Sequence, residues 1–371
     1  MSVEPLAGYT IGITAARRRD EFAAALERRG AAVISAPAIT LVPLADDSSL
    51  RAATDRCLGS PLDVVIATTG IGFRGWIEAA DAWGLASDLL KVLGQATALA
   101  RGPKARGAIR AAGLRETWSP ESESSTEVLE YLIARGDLDG RRVAVQLHGE
   151  PLPDLVQALR LAGAEVIEVP VYRWVLPEDT APLHRLIQAV CAGSADAVAF
   201  TSAPAAASFL QAAESLGRAD LVHAALRGPV VPACVGPVTA GPLVAAGIAA
   251  IQPDRARLGA LIRKIVEEVP RRRGIVLPVI GHVLEIRGQA VVVDGELMPL
   301  TGAGMALLRE LCVRPGHVVS RADLLRVSPG SGDDDHAVEV AIGRLRTALG
   351  DPRIIQTVVK RGYRLAYEPL S

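Results

Sequence analysis

The sequence predicts an α/β protein: a two-lobed, parallel-sheet domain over residues 1–253, then a linker, then a small C-terminal α+β domain. Two observations predict it. From Tyr9 to about Pro253, short β-branched, Ala-rich runs (YTIGITAA, LDVVIATT, RRVAVQLHG, AEVIEVPVY, ADAVAFTS, VVPACVG) alternate with amphipathic stretches such as Arg17–Arg29, Asp154–Ala162 and Pro204–Leu216. Apolar runs of that length suit strands buried on both faces, and their alternation with helical periodicity is the βα signature of parallel sheets. Beyond residue 280 the pattern changes to short strands with turn signals and three helix patterns.

At 371 residues the chain is long enough for two or three domains. Its 50% hydrophobic and 22% charged residues place it among globular proteins. Lys and Arg total 40 against 41 Asp and Glu, for a net charge of -1, so a nucleic-acid surface must be a local concentration of basic residues. Cys57, Cys191, Cys234 and Cys312 are far apart, with no C-x-x-C pair, which excludes a disulfide framework and a thiolate metal site; no metal is expected. The start, MSVEPLAGYT, lacks a signal-peptide pattern, and no apolar run reaches the ~20 residues of a membrane span, so a cytoplasmic location and no membrane partner are expected.

About ten βα units exceed one small sheet, hence two lobes. Pro37–Pro43 and Val169–Pro177 are extended, apolar and bracketed by prolines, which disfavour helix. Paired as a two-stranded hinge, they divide the domain into lobe A (1–41 and 174–253) and lobe B (42–173), with the interlobe cleft as the expected ligand site. Residues 254–280, with the basic stretch Arg255–Val269 and the run Pro270-Arg-Arg-Arg-Gly274, read as the linker, and 281–371 as the C-terminal domain.

In that last domain, Val283–Ile286, Ala290–Val293 and Glu296–Leu300 read as a small antiparallel sheet. A helix capped by Thr301 runs through Cys312. Ser320-Arg-Ala-Asp323 caps a second, short helix. A Gly-rich loop, Ser328–Asp335, precedes a third helix over His336–Leu349, and Ile354–Val359 and Tyr363–Tyr367 form a final hairpin. Between Arg344 and Arg364 six basic residues (Arg344, Arg346, Arg353, Lys360, Arg361, Arg364) face one acid, Asp351, an imbalance the whole chain lacks. A helix fits the major groove, with flanking basic groups on phosphates. The segments LTGAGMALLREL, PGHVVSRADLL, VEVAIGRLRTALGDPRIIQTV and RGYRL resemble the OmpR/PhoB-type winged helix-turn-helix domain. The resemblance implies double-stranded DNA as partner. It places Arg344 and Arg346 on phosphates or a guanine edge, His336, Glu339 and Gly343 toward the groove, and Lys360 and Arg361 on the wing. Tandem half-sites, common for such domains, imply a homodimer on DNA. Val338, Val340, Ile342, Leu345 and Leu349 read as the buried face of the third helix.

The receiver domain usual in that family is not matched, because the first strand ends Thr14-Ala-Ala-Arg17 and the next Thr68-Thr69-Gly70, without its acidic pair. Instead Phe200-Thr-Ser-Ala-Pro204, Val235-Gly-Pro-Val-Thr-Ala240 and Gly163–Tyr172 resemble uroporphyrinogen-III synthase, which closes the linear tetrapyrrole hydroxymethylbilane without a cofactor. The resemblance implies that Ser202, Thr239 and Thr69, at strand ends where helices start, meet substrate carboxylates, and that Tyr172 acts as general acid. Helix capping and hinge packing are the competing readings. Departures are Ala67-Thr-Thr-Gly-Ile-Gly72, without the usual Ser and Asn, and Gly102-Pro-Lys-Ala105, with Lys for Thr; Lys104 and Arg106 remain carboxylate partners. Two functions stay open: a regulator whose synthase-like domain senses a tetrapyrrole-like or other anionic small molecule, which fusions of this architecture in actinobacteria associate with nitrite or nitrate assimilation; alternatively, an active or bifunctional uroporphyrinogen-III synthase.

Overall fold

The structure, a computed structural model, describes residues 3–44, 48–121, 124–149, 151–327 and 335–368. Lobe A is built on four parallel strands, Thr10–Ile13, Ala32–Ser35, Ala197–Phe200 and Val231–Cys234, in spatial order fourth, third, first, second. Lobe B has the same architecture: Val64–Ala67, Thr97–Ala100, Arg142–Gln146 and Glu165–Val169, in spatial order second, first, third, fourth. The central strands Val64–Ala67 and Ala197–Phe200 are buried at every residue, as helices on both faces of a parallel sheet require. Alternation decides which helices each residue meets: Val65 and Ala67 join the cluster around Phe73 and Trp76, while Val64 and Ile66 join Val128, Leu132 and Leu159.

The proline-bracketed segments pair as two antiparallel strands, Thr40–Pro43 against Tyr172–Val175. One compact unit comprises Thr40–Val175; the other comprises Met1–Ile39 and Leu176–Ser371, so lobe A and the C-terminal domain fall together.

The C-terminal domain is a winged helix. Four antiparallel strands, Ile275–Val279, His282–Arg287, Ala290–Val293 and Glu296–Met298, precede helices Gly302–Val313, Arg321–Val327 and Asp335–Ala348 and the hairpin Ile355–Val358/Gly362–Leu365. The caps follow the sequence. Thr301 Oγ1 accepts from the Gly304 amide at 3.1 Å, and Ser320 Oγ accepts from the Asp323 amide at 3.1 Å while donating to its carboxylate at 2.7 Å. Most of the loop expected over Ser328–Asp335 lies outside the described residues.

The stretch 254–280 differs from the linker expected. Most of it is a helix, Leu258–Arg273, which buries Leu261, Ile262, Ile265 and Val269 in the lobe A core. Glu268 holds the arginine run in place, with Oε2 2.6 Å from Arg271 and 2.8 Å from Arg272, and three arginines in the last turn suit the negative end of the helix dipole. The strand Ile275–Val279 follows directly. Replacing Ile265, fully buried, with alanine is expected to lower stability by about 2–5 kcal/mol in chemical unfolding of the full chain; a neutral effect would return the segment to the status of a tether.

Candidate ligand sites and the DNA-binding face

In lobe B the strand Val64–Ala67 ends at Thr68 and Thr69, and Thr69 caps the helix Gly70–Ala82 by accepting from the Gly72 amide at 3.1 Å. The organiser of this turn is Gln146, fully buried at the end of the neighbouring strand. Its Oε1 accepts from the Thr68 and Thr69 amides at 3.2 and 3.1 Å, and the Thr68 hydroxyl donates to its carbonyl at 2.6 Å. Gln146 went unnoticed in the sequence, although a polar residue closing the apolar run RRVAVQLHG was the available signal. The same geometry explains the two glycines of this turn, Gly70 and Gly72. A Cβ at Gly72 would stand 2.1 Å from Gln146 Nε2, and one at Gly70 would stand 2.3 Å from the Lys104 carbonyl oxygen.

Tyr172, on the connector strand and 4% exposed, shares a hydrogen bond with Thr69 Oγ1 at 3.2 Å. Its ring meets Trp174 edge-on at 5.4 Å, and Trp174 Nε1 donates to the His148 carbonyl at 3.0 Å. Burial pushes the His148 imidazole down to about 4, which holds it neutral near pH 7. Lys104, exposed, and Arg106, half-buried, lie in the first turn of the helix Pro103–Ala111, whose cap residue, Gly102, supplies no side-chain acceptor. The structure therefore brings Thr69 and Tyr172 into contact and sets the start of the Lys104 helix against Gly70.

Lobe A repeats the arrangement at its own strand ends. Ser202 caps the helix Ala203–Ser215, its hydroxyl 3.4 Å from the Ala205 amide, which satisfies the capping reading of that residue. Thr239 is 5% exposed in the first turn of Pro237–Ala245, a helix whose cap, Gly236, offers no side-chain acceptor. These are adjacent strands, so the two helix starts are neighbours. Each lobe thus presents hydroxyls and uncapped first-turn amides at its carboxyl edge, an environment suited to carboxylates.

In the winged helix, His336, Glu339, Gly343 and Arg344 lie exposed along Asp335–Ala348. Val338, Ile342, Leu345 and Leu349 are buried as expected, but Val340 is 40% exposed. The correction is a matter of period: 340 falls four residues from 336 and 344 and shares their face, whereas 338, 342, 345 and 349 make the inward stripe. Arg346 differs in kind from Arg344. Its guanidinium donates to the Ile355 carbonyl at 2.8 and 2.6 Å and to Thr357 Oγ1 at 2.8 Å, and lies 5.7 Å from the Tyr363 ring centroid. Arg321 approaches the same ring at 5.4 Å and pairs with Glu339 at 3.2 Å. Lys360 and Arg361 are exposed at the wing turn, Lys360 with a left-handed φ of 60°. Gly362 closes that turn because a Cβ there would stand 2.0 Å from the Val319 carbonyl oxygen.

Two lobed sheets with polar carboxyl edges, followed by a winged helix with an exposed, partly basic face, define a synthase-like α/β protein carrying a DNA-binding domain. The uroporphyrinogen-III synthase HemD family matches residues 20–263, and the chain belongs to it. The family of C-terminal domains of transcriptional regulatory proteins matches residues 295–365. The chain is similar to the uncharacterized protein YjjA of Bacillus subtilis (strain 168), with 30% identity over 266 residues covering 71% of this chain and 96% of that protein. It is also similar to a mutant uroporphyrinogen III synthase from the extremely thermophilic bacterium Thermus thermophilus, with TM-score 0.58 and 30% identity over 71% of this chain and 99% of that one. Over 84 residues it is 42% identical to the transcriptional regulatory protein CseB of Streptomyces avermitilis, covering 22% of this chain and 35% of that protein. The C-terminal domain is of the OmpR/PhoB DNA-binding type, and its fusion to a HemD domain supports a transcriptional regulator. Among the described residues no helix is long and apolar enough to cross a membrane.

One electrostatic clasp within the DNA-binding domain generates a pH prediction. His282 Nδ1 lies 2.6 Å from Asp294 and Nε2 3.2 Å from Asp351, the residue that opens the approach to the final hairpin. The Asp294 hydrogen bond, then that of Asp351, raises the imidazole pKa. A raised folded-state pKa adds stability that is complete below the unfolded value of about 6.5 and is lost as pH rises through the folded value. Thermal unfolding of wild type is therefore expected to lose stability above pH ~6.5 relative to His282→Gln, and parallel curves for the two proteins would contradict the clasp. Arg344→Ala is expected to weaken DNA binding with the melting temperature unchanged, and Arg346→Ala to lower the melting temperature as well; fluorescence anisotropy and calorimetry separate the two.

Proposed function

We propose that the chain is a one-component transcriptional regulator in which the HemD-like domain senses an anionic, tetrapyrrole-like ligand and the winged helix binds double-stranded DNA. The observation that carries this reading is the contrast between the two ends of the chain. The DNA face presents His336, Glu339, Gly343, Arg344, Lys360 and Arg361 to solvent, whereas the lobe B strand end, Thr68-Thr69-Gly70-Ile71-Gly72, lacks the Ser and Asn usual in the synthase family and is crowded by Gln146 and the Lys104 backbone. Lys104 and Arg106 beside an uncapped helix start, and Thr239 and Ser202 in lobe A, support binding of carboxylates without supplying turnover. For such binding to regulate, the ligand must have different affinities for two states of the protein. By analogy with fusions of this architecture in actinobacteria, the regulated genes are those of nitrite or nitrate assimilation, and binding is to tandem half-sites as a homodimer.

A second reading, an active synthase, is favoured by one contact, the hydrogen bond of Tyr172 to Thr69, which holds a hydroxyl ready as a general acid. Incubating the purified protein with hydroxymethylbilane and resolving the product isomers separates the two: the sensor reading expects uroporphyrin I alone, as in the protein-free control, and excess isomer III that disappears in Tyr172→Phe would establish the synthase. For the DNA face, replacing Lys360 and Arg361 with alanine is expected to reduce the slope of log K against log salt by about one unit per lost phosphate contact. An unchanged slope would remove both residues from the interface.

A further inference from the structure

At the amino edge of lobe A, opposite the strand ends just described, Asp196 precedes the central strand Ala197–Phe200 and is 3% exposed. Its Oδ2 accepts from the Thr10 amide at 2.8 Å, and Oδ1 lies 3.5 Å from Nε of Arg273, at the end of the helix Leu258–Arg273. What covers this carboxylate is the DNA-binding domain. The turn between the strands His282–Arg287 and Ala290–Val293 places the Gln289 amide 2.7 Å from the Gly8 carbonyl oxygen, which accepts its hydrogen bond. Arg309, from the helix Gly302–Val313, donates to the Gly288 carbonyl, and Arg287 Nη1 lies 3.4 Å from that of Glu4.

The two turns approach closely enough that only glycine fits on either side. A Cβ at Gly288 would stand 2.3 Å from the Gly8 carbonyl oxygen and 2.7 Å from Asp196 Oδ2; a Cβ at Gly8 would stand 2.3 Å from the Arg287 carbonyl oxygen. Both have left-handed φ, 90° at Gly8 and 49° at Gly288. The Tyr9 side chain is fully buried beneath this contact, and a Cβ at Gly274 would stand 3.0 Å from its hydroxyl. An aspartate serving only to cap a strand end loses nothing by facing water. Burial raises the Asp196 pKa above the ordinary carboxylate value, and the Thr10 amide, Arg273 of the linking helix and the more distant charge of Arg309 in the DNA-binding domain oppose that rise.

We propose that the amino edge of lobe A is a docking surface for the chain's own DNA-binding domain, and that Asp196 is the residue that positions it. The lobe carrying Ser202 and Thr239 and the domain carrying the recognition helix then behave as one body. This inference does not depend on the nature of the ligand, so its test is independent of the sensor reading.

The test is amide hydrogen exchange by mass spectrometry on the full-length protein, comparing wild type, Asp196→Asn and Gly288→Ala. The asparagine keeps an acceptor for the Thr10 amide but removes the charge; the alanine blocks docking from the other side. In wild type, peptides spanning Arg287–Val291 are expected to exchange slowly. Both variants should speed that exchange by at least about tenfold, with the strand amides of Ile11–Ile13 still protected. Fast exchange over Arg287–Val291 in wild type, or slow exchange there in Gly288→Ala, would overturn the proposal. Loss of protection confined to Thr10 in Asp196→Asn would reduce Asp196 to a strand cap. Should Asp196→Asn fail to fold, Gly288→Ala alone decides.

Discussion

Each four-stranded parallel sheet must be covered on both faces, and the remainder of the structure follows from that constraint. Helices that cover a parallel sheet begin where its strands end, so their first-turn amides gather along one edge of each lobe. Where the first turn is crowded, glycine and short hydroxyl side chains are what fit. Gly70, Gly72 and Thr69 are set by the buried Gln146 and by the Lys104 backbone, and Gly236 leaves its helix start open. The carboxyl edges are therefore electropositive for reasons of folding before any ligand is considered. The opposite edge of lobe A has the reverse polarity at Asp196, and there the arginines of the next domain are found.

A different economy operates in the winged helix. Tyr363, 4% exposed, presents its ring to Arg321 and Arg346, and these side chains in turn meet Glu339 and the hairpin strand Ile355–Val358. The recognition helix is thus fastened to the wing by a basic residue that the surrounding charge imbalance would assign to phosphate. Arg344, two residues earlier in the chain, points outward and keeps its charge available.

Much of this organisation was legible in the sequence because it rests on periodicity. The parallel strands, the two-stranded connector and the three helices of the last domain follow from apolar spacing, prolines and caps. What was not legible depends on tertiary partners. The strand Ile275–Val279 was hidden behind the run Pro270–Arg273, which reads as a tether until Glu268 and the buried face of Leu261 and Ile265 are seen. Val340 was misplaced because an apolar residue between two buried ones looks buried, although helical spacing sets it beside Arg344. Gln146 and Asp196 are single polar residues bordering apolar runs, and nothing local distinguishes an organiser of a turn or a domain contact from a strand-end polar residue. The steric cause of Gly70 and Gly72, which lies in Gln146 and the Lys104 backbone, is likewise visible only in the structure.

If the HemD-like domain conveys ligand occupancy to the OmpR/PhoB-type DNA-binding domain, the two binding equilibria must be coupled. That coupling is read out by titrating the full-length protein on a DNA fragment from its own promoter at fixed salt, with and without uroporphyrinogen III. Coupled sites predict sequence-specific binding whose Kd shifts by about 5–150-fold when the tetrapyrrole is present, the range of ordinary allosteric coupling. Specific binding with the same Kd in both titrations would contradict it.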